Sequence, residues 1–146
     1  MTVVHATSVA LKHKGRWHGV LLRGPSGAGK SDLALRLLEK GGRLISDDQT
    51  HLAIKRRRLV ATAPKPLAGL IEARGIGILR LPRARLLAEA SVVLAVDLVS
   101  PGKVERLPEP VREQFLGVSL PVVALAPFEG SSITKLHLAL AQIAAA

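Results

Sequence analysis

The sequence predicts an α/β domain, a mixed β-sheet with flanking helices arranged around a phosphate-binding loop. Three observations predict it. Gly24-Pro25-Ser26-Gly27-Ala28-Gly29-Lys30-Ser31 fits the pattern G-x-x-x-x-G-K-[ST] at every fixed position. A short apolar run at residues 19–23 precedes the loop and a helix-periodic run at 31–40 follows it, which is the strand-loop-helix setting the motif requires. The rest of the chain consists of short apolar runs punctuated by Gly and Pro. Its 146 residues, 48% of them hydrophobic, suffice for a single domain spanning 1–146 with a sizeable core.

Residues 5–11 read as a first strand and 17–23 as a second, joined by the basic turn Lys12-His13-Lys14-Gly15-Arg16 into a hairpin that leads into the loop. The loop must aim several backbone N–H groups at concentrated negative charge, and Gly24, Gly27 and Gly29 permit that approach. Lys30 can reach β- and γ-phosphates, and the Ser31 hydroxyl can ligate Mg²⁺. In the helix, Leu33, Ala34, Leu37 and Leu38 share one face, and Gly41-Gly42 stops it. Arg43-Leu44-Ile45-Ser46 is a short strand ending in Asp47-Asp48. Residues 51–54 and 59–62 flank Lys55-Arg56-Arg57-Arg58 and predict a hairpin with a basic turn.

Residues 63–66 form a loop. The strand-like segment 70–79 carries Gly75 and Gly77 at alternate positions, which predicts a bend or a close backbone approach. Residues 82–89 read as a short helix or turn. Residues 91–99 form the best buried strand, apolar from Val92 to Val96, and Ser100-Pro101-Gly102 ends it. An exposed loop at 104–110 and a strand at 118–126 follow. Ser131-Ser132 can cap a final helix over 133–145, with Ile133, Leu136, Leu140 and Ile143 on one face.

Composition narrows the function classes. The formal charge of +10 attracts polyanions, but two Phe, one Trp and no Tyr leave few platforms for base stacking, so nucleic acid is not the expected partner. The absence of cysteine excludes disulfides and thiolate metal sites and agrees with a cytoplasmic location. No apolar run is long enough to span a membrane, and the N-terminal residues lack the pattern of a signal peptide.

Phosphoryl transfer needs carboxylates near the metal and near the attacking hydroxyl. Two strand ends compete for these roles: Asp97, which follows four apolar residues in the Walker-B manner, and the pair Asp47-Asp48. Neighbouring side chains on a strand point to opposite faces, but at a strand end the chain can turn and present both. A pair offers two functions, metal contact and proton acceptance.

The loop at Gly24 to Ser31, the strand end Leu44-Ile45-Ser46-Asp47-Asp48 and the segment Ile71-Glu72-Ala73-Arg74-Gly75-Ile76-Gly77-Ile78 occur in that order. Together they resemble the HPr kinase/phosphorylase family, whose signature reads Glu-x-Arg-Gly-[Leu/Ile]-Gly-[Ile/Val]. The resemblance runs from His5 to the C-terminal helix and covers the catalytic domain, as in a short form of the family. It implies a P-loop kinase fold of the phosphoenolpyruvate carboxykinase-like type. It implies serine phosphorylation of the phosphocarrier protein HPr or a paralogue with ATP and Mg²⁺, reversal by phosphorolysis, and assembly as a homo-oligomer, specifically a hexamer.

Position by position, Gly24, Pro25, Ser26, Gly27, Ala28, Gly29, Lys30 and Ser31 would hold the nucleotide phosphates. Asp47 would be the catalytic aspartate, and His5 would orient it. Ser31, Asp48 and Glu72 would stand close to the metal, and Arg106 would stabilise the transferred phosphoryl group. Four departures from the family pattern mark this chain: Pro25 replaces an acidic residue after the first loop glycine, Ala73 replaces a β-branched residue, the stretch from Lys12 to Trp17 resembles an insertion, and Pro127-Phe128-Glu129-Gly130 stands where a basic Pro-Gly-Arg segment tied to the reverse reaction is expected. Outside the resemblance, the loop alone is also compatible with a small-molecule P-loop kinase, for which Lys55 to Arg58 or Arg80 to Arg85 offer a lid, or with a nucleotide-binding regulatory module.

Overall fold

The computed structural model describes residues 1–145. Among these the chain forms β1 (Thr2–Val4), β2 (Thr7–His13), β3 (Arg16–Arg23), α1 (Lys30–Glu39), β4 (Arg43–Ser46), β5 (Thr50–Lys55), β6 (Arg58–Thr62), β7 (Leu70–Ala73), β8 (Gly77–Arg80), β9 (Glu89–Leu98), β10 (Val111–Phe115), β11 (Val118–Leu125) and α2 (Ser132–Ala145). Nine strands make one mixed sheet, in the order β1-β5-β6-β9-β3-β2-β4, with β11 also on β9 and β10 on β11. Strands β7 and β8 form a separate hairpin. No helix among the described residues is long and apolar enough to cross a membrane.

Strand β9 is the hub. Its first residues pair antiparallel with β6, while its middle and end pair parallel with β3 and β11. Gly19 pairs with Val92 but Val20 pairs with Leu94, so Val93 is an extra residue, a β-bulge. The bulge inverts the side-chain alternation. Ala90 and Val92 face one core, whereas Leu94, Val96 and Leu98 face the other. Gly19 is required at this point, because a Cβ there would lie 3.0 Å from the Ser91 carbonyl oxygen and 3.2 Å from the Val92 Cα.

Two apolar clusters result. The first lies between the sheet and the helices, where Leu33 and Leu37 of α1 and Leu136 and Leu140 of α2 pack on Val9, Leu11, Val20, Leu22 and Leu94. The second lies on the sheet's other face and gathers Ala10, Leu21, Ile45, Leu52, Leu59 and Phe115. Each leucine fully removed from water contributes roughly 1.5–3 kcal/mol. These helix faces are those the spacing predicts. Helix α2 starts at Ser132, whose hydroxyl donates to the Pro127 carbonyl rather than serving the helix's own N–H groups.

The hairpins β2–β3 and β5–β6 form as expected. Three elements differ from the sequence reading. Residues 70–80 are not one bent strand but the hairpin β7–β8, with Arg74-Gly75-Ile76 at its turn. Gly75 and Gly77 have φ of 92° and 126° with open space around them, so they supply backbone conformation, not close approach. Strand β10 was not predicted, because four of its five residues are exposed and Arg112-Glu113-Gln114 shows no apolar alternation. Strand β1 escaped notice as a three-residue edge strand on β5.

Candidate active site

The loop at residues 24–29 leaves the end of β3 and runs into α1. Gly29 sits at the helix N-cap with φ 102°, and a Cβ there would stand 2.8 Å from Cζ of Phe128. Only glycine satisfies both the backbone and the space. The free N–H groups of the first helical turn and the positive end of the helix dipole therefore face the loop, which favours an anion. The Lys30 ammonium is drawn into the loop, donating to the carbonyls of Gly24 at 2.6 Å and Pro25 at 3.2 Å.

Asp47 is the centre of the site. It follows β4, which pairs with β2 so that Ser8 lies opposite Ser46, and this places Thr7 beside Asp47. The Thr7 hydroxyl donates to Asp47 Oδ1 at 2.9 Å, and the Ser31 hydroxyl donates to the same oxygen at 2.7 Å. The backbone N–H of Glu72 in β7 donates to Oδ2 at 3.0 Å. Three neutral donors thus orient a buried carboxylate, and of its roughly four acceptor positions one is left over. No cation neutralises it among the described ion pairs.

Asp48 turns the other way. Its φ of 66° reverses the chain, and its carboxylate meets Nε2 of His5 at 2.8 Å while its N–H donates to Thr7 Oγ1 at 3.0 Å. The expectation that His5 orients Asp47 is therefore corrected: His5 holds Asp48, because the left-handed turn separates the two carboxylates. Thr7 links both aspartates, and sequence reading missed it. The available signal was a Thr-Ser pair at the start of an apolar strand, both fully buried.

A cleft of about 440 Å³ opens on this centre, lined among others by Gly27, Lys30, Ser31, Asp32, Asp47, Asp48, Glu72, Arg74 and Ile76. The loop, the strand end and the β7–β8 hairpin are thus brought together. The grouping of Ser31, Asp48 and Glu72 takes a different form from that expected. All three line the cleft, but Ser31 meets Asp47, and no three His, Asp or Glu among the described residues form a cation cage. Arg106 lies on the exposed loop after β9 and does not line the cleft.

Asp97, the other candidate carboxylate, is committed elsewhere. Arg23 Nε donates to Asp97 Oδ1 at 2.8 Å, and Arg23 Nη1 donates to Glu113 Oε2 at 2.7 Å. The Glu113 hydrogen bonds, and then Asp97, hold the Arg23 guanidinium still more firmly protonated than usual, while Arg23 holds the Glu113 carboxyl below its ordinary range. The ring of Phe115 lies 5.4 Å beneath the guanidinium.

The family model described as HPr Serine kinase C-terminal domain matches residues 2–144. The chain belongs to this family. Among relatives, the HPr kinase/phosphorylase of Acidovorax sp. (strain JS42) is 34% identical over 128 residues, covering 81% of this chain and 40% of the relative. That of Limosilactobacillus reuteri (strain DSM 20016) is 52% identical over 62 residues, covering 42% of this chain and 19% of the relative. The chain thus spans less than half the length of these curated relatives. The solved structure of the Hpr(Ser) kinase/phosphatase from Coxiella burnetii superposes with a TM-score of 0.82 at 26% identity, covering 97% of this chain and 89% of that one. The fold is that of the HPr kinase C-terminal domain, a mixed sheet with few helices, as the three motifs implied.

Proposed function

We propose that this chain is the catalytic unit of a kinase that uses ATP and Mg²⁺ to phosphorylate a serine of HPr or a paralogue. The observation that carries this is the junction at Asp47, where the Ser31 hydroxyl of the phosphate loop and the Glu72 backbone of the signature hairpin meet one buried carboxylate. The residues present suit Mg²⁺. The Ser31 hydroxyl and the Asp48 and Glu72 carboxylates are hard oxygen donors that line one cleft. Ser31, with Asp48 and Glu72 at the same cleft, would hold the ion, which usually takes only one or two carboxylates besides phosphate oxygens. When bound, it supplies neutralisation of the β- and γ-phosphate charge.

The chain's own residues do the rest. The loop N–H groups and Lys30 hold the phosphates, and Lys30 exchanges its loop carbonyls for phosphate oxygens. Asp47 accepts the proton of the incoming serine hydroxyl as that oxygen bonds to the γ-phosphorus. The bond from the γ-phosphorus to the bridging oxygen breaks, and ADP leaves. In the phosphorolytic direction Asp47 returns the proton to the serine oxygen. Ile76, 77% exposed, lines the cleft, and Ile78, 72% exposed, follows it on the same hairpin, an apolar exposure that suits a protein acceptor better than a metabolite.

The test is mass spectrometry of HPr after incubation with this chain, ATP and Mg²⁺. One phosphoryl group on a serine is expected with the intact chain and none with Asp47→Asn. Unmodified HPr with the intact chain, at concentrations where ATP binds, would overturn the reading. Adding inorganic phosphate to phosphorylated HPr reads the reverse reaction, and native mass measurement reads the expected hexamer.

A further inference from the structure

A second cleft, of about 620 Å³, lies on the other side of the phosphate loop. Its walls are mostly apolar, with Pro25 and Ala28 of the loop, Leu98 at the end of β9, and Ala126 and Pro127 after β11, while Lys103 and Glu129 also line it. Gly27 and Phe128 line both clefts, so the two spaces adjoin at the loop. The catalytic carboxylates face only the first. A nucleotide whose phosphates lie on the loop, with its terminal phosphate toward Asp47, must place its other end away from Asp47.

Phe128 stands at this junction. It is one of two phenylalanines in the chain and is 69% exposed, although its ring edge abuts Gly29. Its exposed ring offers apolar area that a stacked base would remove from water. The segment that carries it is fixed at its base. The Pro127 carbonyl accepts from Arg36 Nη2 and from the Ser132 hydroxyl at 3.0 Å, and Arg36 is itself held by Asp32 at 3.0 Å. Helix α1 thereby sets the position of Phe128 relative to the loop that leads into α1.

We propose that Phe128 and the apolar second cleft form the nucleobase subsite, in which the base of the nucleotide stacks on the Phe128 ring. This deepens the reading of the loop as a nucleotide site and rests on it. Stacking has no directional hydrogen-bond requirement, so the subsite accepts the purine face of ATP without a dedicated base code.

The test is isothermal titration of the full chain with two probes in Mg²⁺, ATP and inorganic tripolyphosphate, which carries the phosphates without a base. Phe128→Ala is expected to raise the Kd for ATP about tenfold, the scale of one lost base–aromatic stack, and to leave the Kd for tripolyphosphate unchanged. Phe128→Trp is expected to keep ATP affinity. Lys30→Ala weakens both probes. An unchanged ATP affinity in Phe128→Ala, or an equal loss for both probes, overturns the subsite while leaving the phosphate site standing. If the unaltered chain binds neither probe, the nucleotide reading itself falls and the subsite with it.

Discussion

Two strand ends carry carboxylates at the C-terminal edge of the sheet, and their fates differ. Asp97, at the end of β9, has the better Walker-B pattern, yet Arg23 holds it, and the same guanidinium also binds Glu113 of β10. Asp47, after the much shorter β4, accepts only hydroxyl and backbone N–H donors and faces the phosphate loop. A carboxylate with a permanent cation cannot readily take a proton or a metal, because the cation stabilises its charged form and occupies its oxygens. One held by neutral donors is oriented but remains available. The contrast separates a carboxylate committed to an ion pair from one left available beside the phosphate loop.

The comparison can be broken most directly by exchanging the two carboxylates' side chains for amides. Asp47→Asn is expected to lower kcat for HPr phosphorylation by about 10²–10⁴-fold, the range for loss of a positioned base, with ATP affinity retained. Asp97→Asn should leave kcat within a few-fold while lowering Tm. Comparable losses of kcat in both would erase the distinction. Thr7→Val sharpens it next. It removes a donor to Asp47 and the acceptor for the Asp48 N–H, which should cost roughly 1–3 kcal/mol of stability and lower kcat, while Thr7→Ser restores both. Denaturant melts and initial rates on the two variants read this.

His5→Ala should act more weakly, lowering kcat about two- to tenfold through the loss of one hydrogen bond to Asp48, without changing ATP affinity. The smallest effect concerns the other strand end. The Glu113 carboxyl is held below its ordinary value of 4.5. Its ion pair with Arg23 therefore stabilises the fold fully above that value and loses its contribution as pH falls through the lower, folded-state value. Because Glu113 is about half exposed, the contribution is on the order of 0.2–1 kcal/mol. Urea midpoints across pH 3–6 should show that Arg23→Gln flattens this acid limb, and a limb unaltered by the substitution would place the acid sensitivity elsewhere.

Local signals recovered most of the fold. The glycine loop, the α1 face and the β2–β3 and β5–β6 hairpins depend on residues within a few positions of one another, so periodicity and turn chemistry report them. Strand β10 was hidden because an exposed edge strand next to β11 needs no apolar alternation. The site was legible as a set of residues but not as an arrangement. Asp47 and Glu72, expected at one site, both line the cleft, yet the pairing of His5 with Asp48 and the linking position of Thr7 depend on the φ of a single residue and on the β2–β4 register.

By itself the sequence determined where the glycine loop lies and which three motifs share the chain, since these are short-range patterns with fixed spacing. The tertiary structure alone showed how each carboxylate is held. Arg23 and Asp97 are 74 residues apart, Thr7 and Asp47 are 40 apart, and Phe128 abuts Gly29 from the far end of the chain. These meetings are set by strand order and by the bulge in β9, which exist only once the sheet has formed.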